Sequence, residues 1–267
     1  MGASDKDRYI SRSLVKGLEI LKLFSAENPT LSLAEIADKL GVSRTTPFRL
    51  LYTLQDVGYL DQDEHTKRYS LTPKVLELGF TYLHTLQLSD IAQPYLEKLR
   101  DETGASAHIG ILDGREVVYI ARASARGVPT INVTVGSRLP AHATAIGKLL
   151  LAFEPAERLN ELLVGTELNK YTHYTKSMIF ELQQELDKIK SQGYAVSNEE
   201  FENGICSVAA PIFNNHSKVI AAVNIATPVF TLKDGILEKV FLPALREVSE
   251  QLSISSGYRL PNPYERK

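Results

Sequence analysis

Five polar side chains crowd one short stretch of this chain: Ser43, Arg44, Thr45, Thr46 and Arg49. A guanidinium fork matches the paired acceptors of a guanine edge or the oxygens of a phosphate. A threonine offers a hydroxyl to phosphate and a methyl to thymine. Arg12, with Arg8 and Lys16 beside it, and Lys67 and Arg68 further on, could reach neighbouring phosphates. No catalytic grouping competes with this reading. The histidines (65, 84, 108, 142, 173 and 216) show no H-x-x-x-H spacing and no CxxC partner, so no metal or other cofactor is expected. There is no G-x-S-x-G elbow and no phosphate-binding glycine loop. Glu199 and Glu200 are adjacent, and adjacent residues on a strand or turn point apart. The chain is not expected to be an enzyme.

The stretch LAEIADKLGVSRTTPFRLLYTLQDVGYL (Leu33 to Leu60) supplies the elements that would present those side chains. Ser32 and Glu35 form a capping box for a first helix with Leu33, Ile36, Ala37 and Leu40 inward. Gly41 permits the positive φ of a helix end. Ser43 opens a second helix whose core face is Phe48 or Leu50, then Leu51, Leu54 and Val57. Pro47 must fall in its first turn, where a missing N–H costs little. Tyr59-Leu60 and Arg68 to Leu71 read as two strands around a polar tip, DQDEHTK. The pattern is a helix-turn-helix with a wing, which places one helix in a DNA major groove.

An earlier helix, Ser13 to Ala26, has Ser13 as N-cap and Leu14, Val15, Leu18, Leu21 and Phe24 at helical spacing. Pro73 starts a linker helix running from Lys74 to about Leu86. Beyond it, Ser89-Asp90 caps a helix through Arg100. Ser106–Leu112 and Glu116–Ala123 flank a hairpin turn at Asp113-Gly114. Ile131–Val135 reads as a third strand. Thr144–Phe153 and Ser177–Ser191 read as helices, Tyr194–Ser197, Ser207–Phe213 and Val219–Thr227 as strands, and Phe241–Leu252 as a last helix with Pro243 near its start. Hairpins mixed with helices define an α+β domain with an antiparallel sheet. The expected division is 10–72 for the winged helix, 73–88 for the linker and 89–255 for the second domain.

Composition bounds the partners. The 267 residues are 43% hydrophobic and 23% charged, with net charge −2. No membrane-length apolar run occurs and the N-terminus lacks a signal-peptide core, so a cytoplasmic protein is expected. The one cysteine, Cys206, cannot form an internal disulfide. Residues 1–75 hold 11 Lys and Arg against 10 Asp and Glu. Double-stranded DNA would therefore be gripped by local arrangement rather than bulk charge. One such unit contacts few base pairs, so a palindromic operator and a dimer are implied.

These segments resemble the IclR family of bacterial transcriptional regulators over about residues 10 to 255. The resemblance rests on SLVKGLEILKLF, the helix-turn-helix, RYSLTPKVLELG, GSRLPAHATAIGKLLLA, GYAVSNEEFENGICSVAAPI and FLPALREVSEQL. GSRLPAHAT and FLPALRE are especially similar to the branch containing PcaR, PcaU and PobR, which governs protocatechuate and 4-hydroxybenzoate catabolism. The resemblance implies a winged helix, a linker helix and a GAF-like effector domain, working as dimers or dimers of dimers. Pro47 departs from the family's recognition helix, which puts the DNA register in question.

A carboxylate ligand needs donors at a helix start, hydroxyls, or a cationic group. His142-Ala143-Thr144-Ala145-Ile146-Gly147 offers a loop running into such a start, with small residues. The resemblance implies that Ala145 and Ile146 hold the effector carboxylate. It also implies contacts from Ser197, Ile205, Ser207, Asn224 and Ala226. Ser207 stands where one branch carries cysteine, which points to a ligand other than that branch's. Leu139, Tyr119, Ile131 and Ile205 are candidate apolar walls. His108 and Arg122, on neighbouring hairpin strands, could hold an acid, although His108 reads first as a satisfied core histidine. The expected effector is an aromatic acid or its catabolite, with an aliphatic keto acid as the alternative.

Overall fold

The computed structural model describes residues 9–86, 88–125, 133–233 and 235–259. The chain divides into two compact units, Met1–Thr85 and Leu86–Lys267.

In the first unit, α1 (Arg12–Lys22) is capped by Ser11, whose hydroxyl accepts from the Leu14 N–H. Ser13 is not the cap, because it already lies in the first helical turn. Gly17 and Ile20 form the buried face of α1, whereas Leu14, Val15 and Leu18 are exposed. β1 (Thr30–Leu31), absent from the sequence reading, precedes α2 (Leu33–Lys39) and α3 (Thr45–Asp56). The Ser32–Glu35 capping box forms as expected, and Gly41 sits at φ 65°. The second helix starts at Thr45 rather than Ser43, with Arg44 at the N-cap position. Pro47 lies within the first turn, whose N–H groups have no intrahelical acceptor to lose. That start turns Pro47, Leu51 and Leu54 inward, selects Leu50 over its alternative Phe48 for the core face, and leaves Phe48 and Val57, the latter expected in the core, exposed. β2 (Leu60–Gln62) and β3 (Tyr69–Leu71) form the wing, and β1 adds to β3 to give the order β1-β3-β2, all antiparallel. Ile20, Phe24, Leu31, Ile36, Leu51, Leu60 and Tyr69 close the core. The helix after the wing, α4 (Val75–Thr85), buries none of its residues.

In the second unit, α5 (Leu88–Thr103) includes Ser89 and Asp90 in its first turn, so they do not precede it as caps. A six-stranded antiparallel sheet follows, ordered β6-β5-β4-β9-β8-β7. Its strands are β4 (Ser106–Asp113), β5 (Glu116–Ala123), β6 (Arg138–Pro140), β7 (Ala195–Asn198), β8 (Ile205–Phe213) and β9 (Val219–Pro228). The expected strand at Ile131–Val135 is corrected. Ile131 lies outside the described residues, and Val133–Val135 form no strand. There the Ser137 hydroxyl accepts from the Thr134 N–H while the Ser137 N–H bonds the Thr134 carbonyl, giving a turn; the edge strand begins at Arg138.

After β6, a single 3₁₀ turn, Ala141–Ala143, leads into α6 (Ala145–Ala152). α7 (Ala156–Leu163) was not anticipated, and α8 (Ile179–Gln192) completes the layer packed on α6. Leu149, Leu151, Leu182, Leu186, Ala209 and Ala222 are among the residues of that core. α9 (Leu242–Ser255) starts with Pro243 at its N-terminus and packs on α5 and β8. No described helix is long and apolar enough to cross a membrane.

Candidate nucleic-acid interface and ligand cavity

Arg12, Lys16, Thr45, Thr46, Arg49 and Thr53 line one groove between α1 and α3, about 530 Å³ in volume. Four of the expected DNA contacts, Arg12, Thr45, Thr46 and Arg49, thus meet in space although 22 residues lie between the end of α1 at Lys22 and the start of α3 at Thr45. Arg44 is exposed beside them, and the Ser43 hydroxyl bonds that of Thr45 at 3.0 Å, bracing the helix start. Among the described residues, Arg12, Lys16, Arg44 and Arg49 form no ion pair, so their charge is available to a polyanion. Lys67 sits at the wing turn with φ 55°. Arg68 is placed differently. Its guanidinium donates to the Thr30 hydroxyl at 3.0 Å and carbonyl at 2.9 Å, and pairs with Glu35 at 2.9 Å. It pins the wing to the capping box instead of reaching outward. The Ser32 N–H and hydroxyl, with Arg68, hold the Glu35 carboxyl down at about 2. Arg8 lies outside the described residues.

The second site forms where α6 meets the sheet. Leu139, Thr144, Ser197, Ile205, Ser207, Asn224 and Ala226 line one narrow cavity of about 30 Å³. Strand register explains the convergence. Ser197 pairs with Ser207, Ser207 with Ala226, and Asn224 with His108, so residues from four strands share one patch. The Thr144 hydroxyl caps α6 by accepting from the Gly147 N–H at 3.2 Å. The Ser197 hydroxyl donates to the Ala143 carbonyl at 3.0 Å, tying β7 to the turn.

Gly147 permits this arrangement. A Cβ there would lie 2.2 Å from the Ala141 Cα and 2.3 Å from its carbonyl oxygen.

Three expected contacts are not on the cavity wall. His142 turns the other way, its Nε2 donating to the Asn169 carbonyl at 2.9 Å. The Ala145 and Ile146 side chains are packed into the core. What these two residues can offer the cavity is their first-turn N–H groups, which lack intrahelical acceptors.

The wall also contains Val133, Ala143, Phe201 and Glu202, which the sequence reading did not assign, together with Tyr119, expected as an apolar wall, and His108. Phe201 and Glu202 lie between β7 and β8, where no periodicity marks orientation. His108 is both a satisfied core histidine and a wall residue. Its Nδ1 lies 3.0 Å from Asn224 Oδ1. Burial pushes its pKa down to about 4, against the opposing Asn224 bond, with the Arg122 charge adding to the fall. The ring is therefore neutral near pH 7. Arg122 donates to the Val133 carbonyl at 2.6 Å.

Behind the cavity, Lys148 of α6 is fully buried. Its Nζ meets Glu200 at 2.5 Å, the Val196 carbonyl at 2.7 Å and Glu185 at 3.3 Å. Burial lowers the lysine pKa while Glu200 opposes the fall. The glutamates of the 199–200 pair do point apart in role: Glu199 accepts from the Gly204 N–H, and Glu200 grips Lys148.

A winged helix-turn-helix with an unpaired basic groove, joined in one chain to an α+β domain with a cavity of mixed apolar and polar walls, defines a ligand-responsive DNA-binding regulator. Residues 13–64 match the IclR helix-turn-helix domain, and residues 80–254 match the C-terminal domain of bacterial IclR transcriptional regulators. The chain is similar to the HTH-type transcriptional regulator XynR of Escherichia coli K12, with 36% identity across 93% of this chain and 98% of that one. It is 37% identical to the Pca operon regulatory protein of Acinetobacter baylyi, over 89% of this chain and 86% of the relative. A crystal structure of a Rhodococcus sp. RHA1 regulator superposes with a TM-score of 0.81 at 34% identity, covering 92% of this chain and 98% of that one. The chain belongs to the IclR family of DNA-binding transcriptional regulators.

Proposed function

We propose that this regulator grips a palindromic operator as a homodimer or dimer of dimers, and that a small organic acid filling the 30 Å³ cavity gates the complex. The winged helix spans 10–72, the linker 73–88 and the effector domain 89–255. Arg12, Ser43, Arg44, Thr45, Thr46, Arg49 and the wing residue Lys67 face DNA, and Arg68 supports the wing from behind. The regulator works in the cytoplasm and turns over no substrate.

The observation that carries the gating is the cavity at the α6 N-terminus. The Ala145 and Ile146 N–H groups and the Ser207 hydroxyl offer donors to a carboxylate, and the helix dipole favours its charge. Binding there draws the 139–144 segment inward. That shift selects one spacing of the recognition helices through the linker, in proportion to the acid's preference for that state.

The likeness to the Pca operon regulator supports an aromatic acid or its catabolite as the ligand. One observation favours the aliphatic reading. A cavity that holds benzene measures about 150 Å³, so a ring must first spread these walls, whereas a two- or three-carbon keto acid needs less room. Fluorescence anisotropy of labelled DNA from upstream of the gene separates the readings. The titrants are protocatechuate, 4-hydroxybenzoate, β-ketoadipate, glyoxylate and pyruvate. A salt-sensitive specific complex shifted by one acid is expected. Specific binding indifferent to every acid would remove the gating.

A further inference from the structure

We propose a second acid-binding site on the outer side of the 139–144 segment, specific for a carboxylic acid that carries an apolar body and a hydroxyl group. Pro140, Ala141 and His142 line a separate cavity of about 240 Å³, with Arg115, Leu163 and Tyr171 among its other walls. The inner cavity takes Leu139, Ala143 and Thr144 from the same segment. One short stretch of backbone is thus the partition between two cavities.

The outer cavity has the chemistry to hold a ligand of this class. Its floor is aliphatic, from Ala141, Leu151, Leu163 and Leu168. Arg115 stands at its rim on the β4–β5 turn and donates to the Thr166 hydroxyl at 2.6 Å. Two nearby carboxylates, Asp113 and Glu116, are occupied by Arg138 at 2.7 Å each. Arg115 therefore has no carboxylate partner among the described residues, and its remaining N–H groups suit one supplied by a ligand. The His142 Nε2–H donates to the Asn169 carbonyl, and in the tautomer that carries its proton there Nδ1 is an acceptor. Glu167, also on the rim, is a second acceptor. Two acceptors beside one cation disfavour a simple dianion and favour a ligand whose hydroxyl donates while its carboxylate meets Arg115. At 240 Å³ the space exceeds what an aromatic ring needs. A molecule seated there would press on the wall of the inner cavity, so the two sites would couple through one segment.

The test uses the full chain with ¹³C-labelled Leu and Ile methyls, titrated with 4-hydroxybenzoate and separately with benzoate. Leu163 and Leu168 report the outer cavity; Ile205 reports the inner one. The expected result is a shift of Leu163 and Leu168 with a midpoint of their own. That midpoint should rise about tenfold in Arg115→Gln and when benzoate replaces the hydroxy acid, while the Ile205 midpoint changes less. Leu163 and Leu168 methyls that stay still at saturation, or that titrate identically in Arg115→Gln, would overturn the proposal. Movement of Ile205 alone removes the outer site and leaves the effector cavity standing; movement of Leu163 alone does the reverse.

Discussion

Replacing Gly147 with alanine puts one methyl group against the backbone of the turn that walls the effector cavity. The new Cβ would start 2.2 Å from the Ala141 Cα, 2.3 Å from its oxygen and 2.6 Å from its carbonyl carbon. Carbon atoms reach favourable contact only near 3.5–4.0 Å, so the turn or the helix must retreat by roughly 1 Å or more. The opposing atoms are backbone, and no rotamer change relieves them. Overpacking of this kind costs about 1–3 kcal/mol. In a unit of this size that lowers the melting temperature by roughly 2–12 °C. The displaced turn carries Ala143, whose carbonyl holds Ser197 at 3.0 Å, and Thr144, which caps α6. Acid affinity should therefore fall about tenfold, equivalent to ~1.4 kcal/mol. Operator affinity without acid should stay within about twofold, because the α1–α3 groove belongs to the other unit. Calorimetry of the full chain and anisotropy titration with the gating acid read both effects. A variant that melts with the parent and responds to acid with the parent's midpoint would refute the reasoning, since the contact would then not constrain the cavity wall.

Arg49→Ala should cost about 1–3 kcal/mol of specific operator affinity if its fork reads a base; unchanged affinity in the anisotropy assay would exclude it. Arg68→Ala should act differently, loosening the wing with at most a small direct loss of phosphate contact, visible as a lower melting temperature of the first unit. Lys148→Met leaves Glu200 with only the partly exposed Lys176 at 3.3 Å as a cation and should destabilise in urea unfolding by up to about 3–5 kcal/mol. Adding Glu200→Gln should restore part of that, and failure to restore any would mean that the pair is not coupled. His108 sets a pH dependence. Its folded-state pKa of about 4 lies below the ordinary 6.5, so the unfolded chain protonates first as pH falls. Stability is complete above about pH 6.5 and drains away toward pH 4, by up to about 3 kcal/mol. His108→Gln should flatten that slope, and an unchanged slope would assign it to other groups.

Local signals carried much of the fold. The Ser32–Glu35 capping box, the Gly41 turn and the Asp113-Gly114 hairpin are all set by side chains within a few residues of one another, and they form where the sequence places them. Facing was harder to read. Leu14, Val15 and Leu18 have helical spacing, but so do Gly17, Ile20 and Phe24 on the adjoining face, and only packing against α3 decides which turns inward. The same ambiguity left Phe48 and Leu50 as alternatives, and packing selects Leu50. Val133–Val135 looked like a strand by composition, but the Ser137 hydroxyl offers that backbone a turn instead. The cavity was legible where residues lie on strands, since Ser197, Ser207, Asn224 and Ala226 follow the register. It was not legible at Phe201 and Glu202, whose loop has no period, or at His142, which a single 3₁₀ turn rotates away from its neighbours Ala143 and Thr144.

The proposed pairing of two copies has two independent supports. On the DNA side, one recognition helix reads too few base edges for a specific site, and paired helices one turn of duplex apart supply the rest. On the protein side, α4 is an eleven-residue helix with no buried residue and with Leu76, Leu78, Phe80 and Tyr82 each more than half exposed. An isolated helix of that length is marginal in water, and helices of this kind draw their stability from an apolar face packed on something. Within the same unit, Leu14 and Leu18 of α1 are also open to solvent. A second copy of the chain would cover these faces and, in doing so, fix the distance between two recognition helices. The surface that makes the lone unit unfavourable in water is therefore well suited to setting the spacing that the proposed palindromic operator would demand, and an acid that altered the packing of the proposed pair would be read out as a change in that spacing.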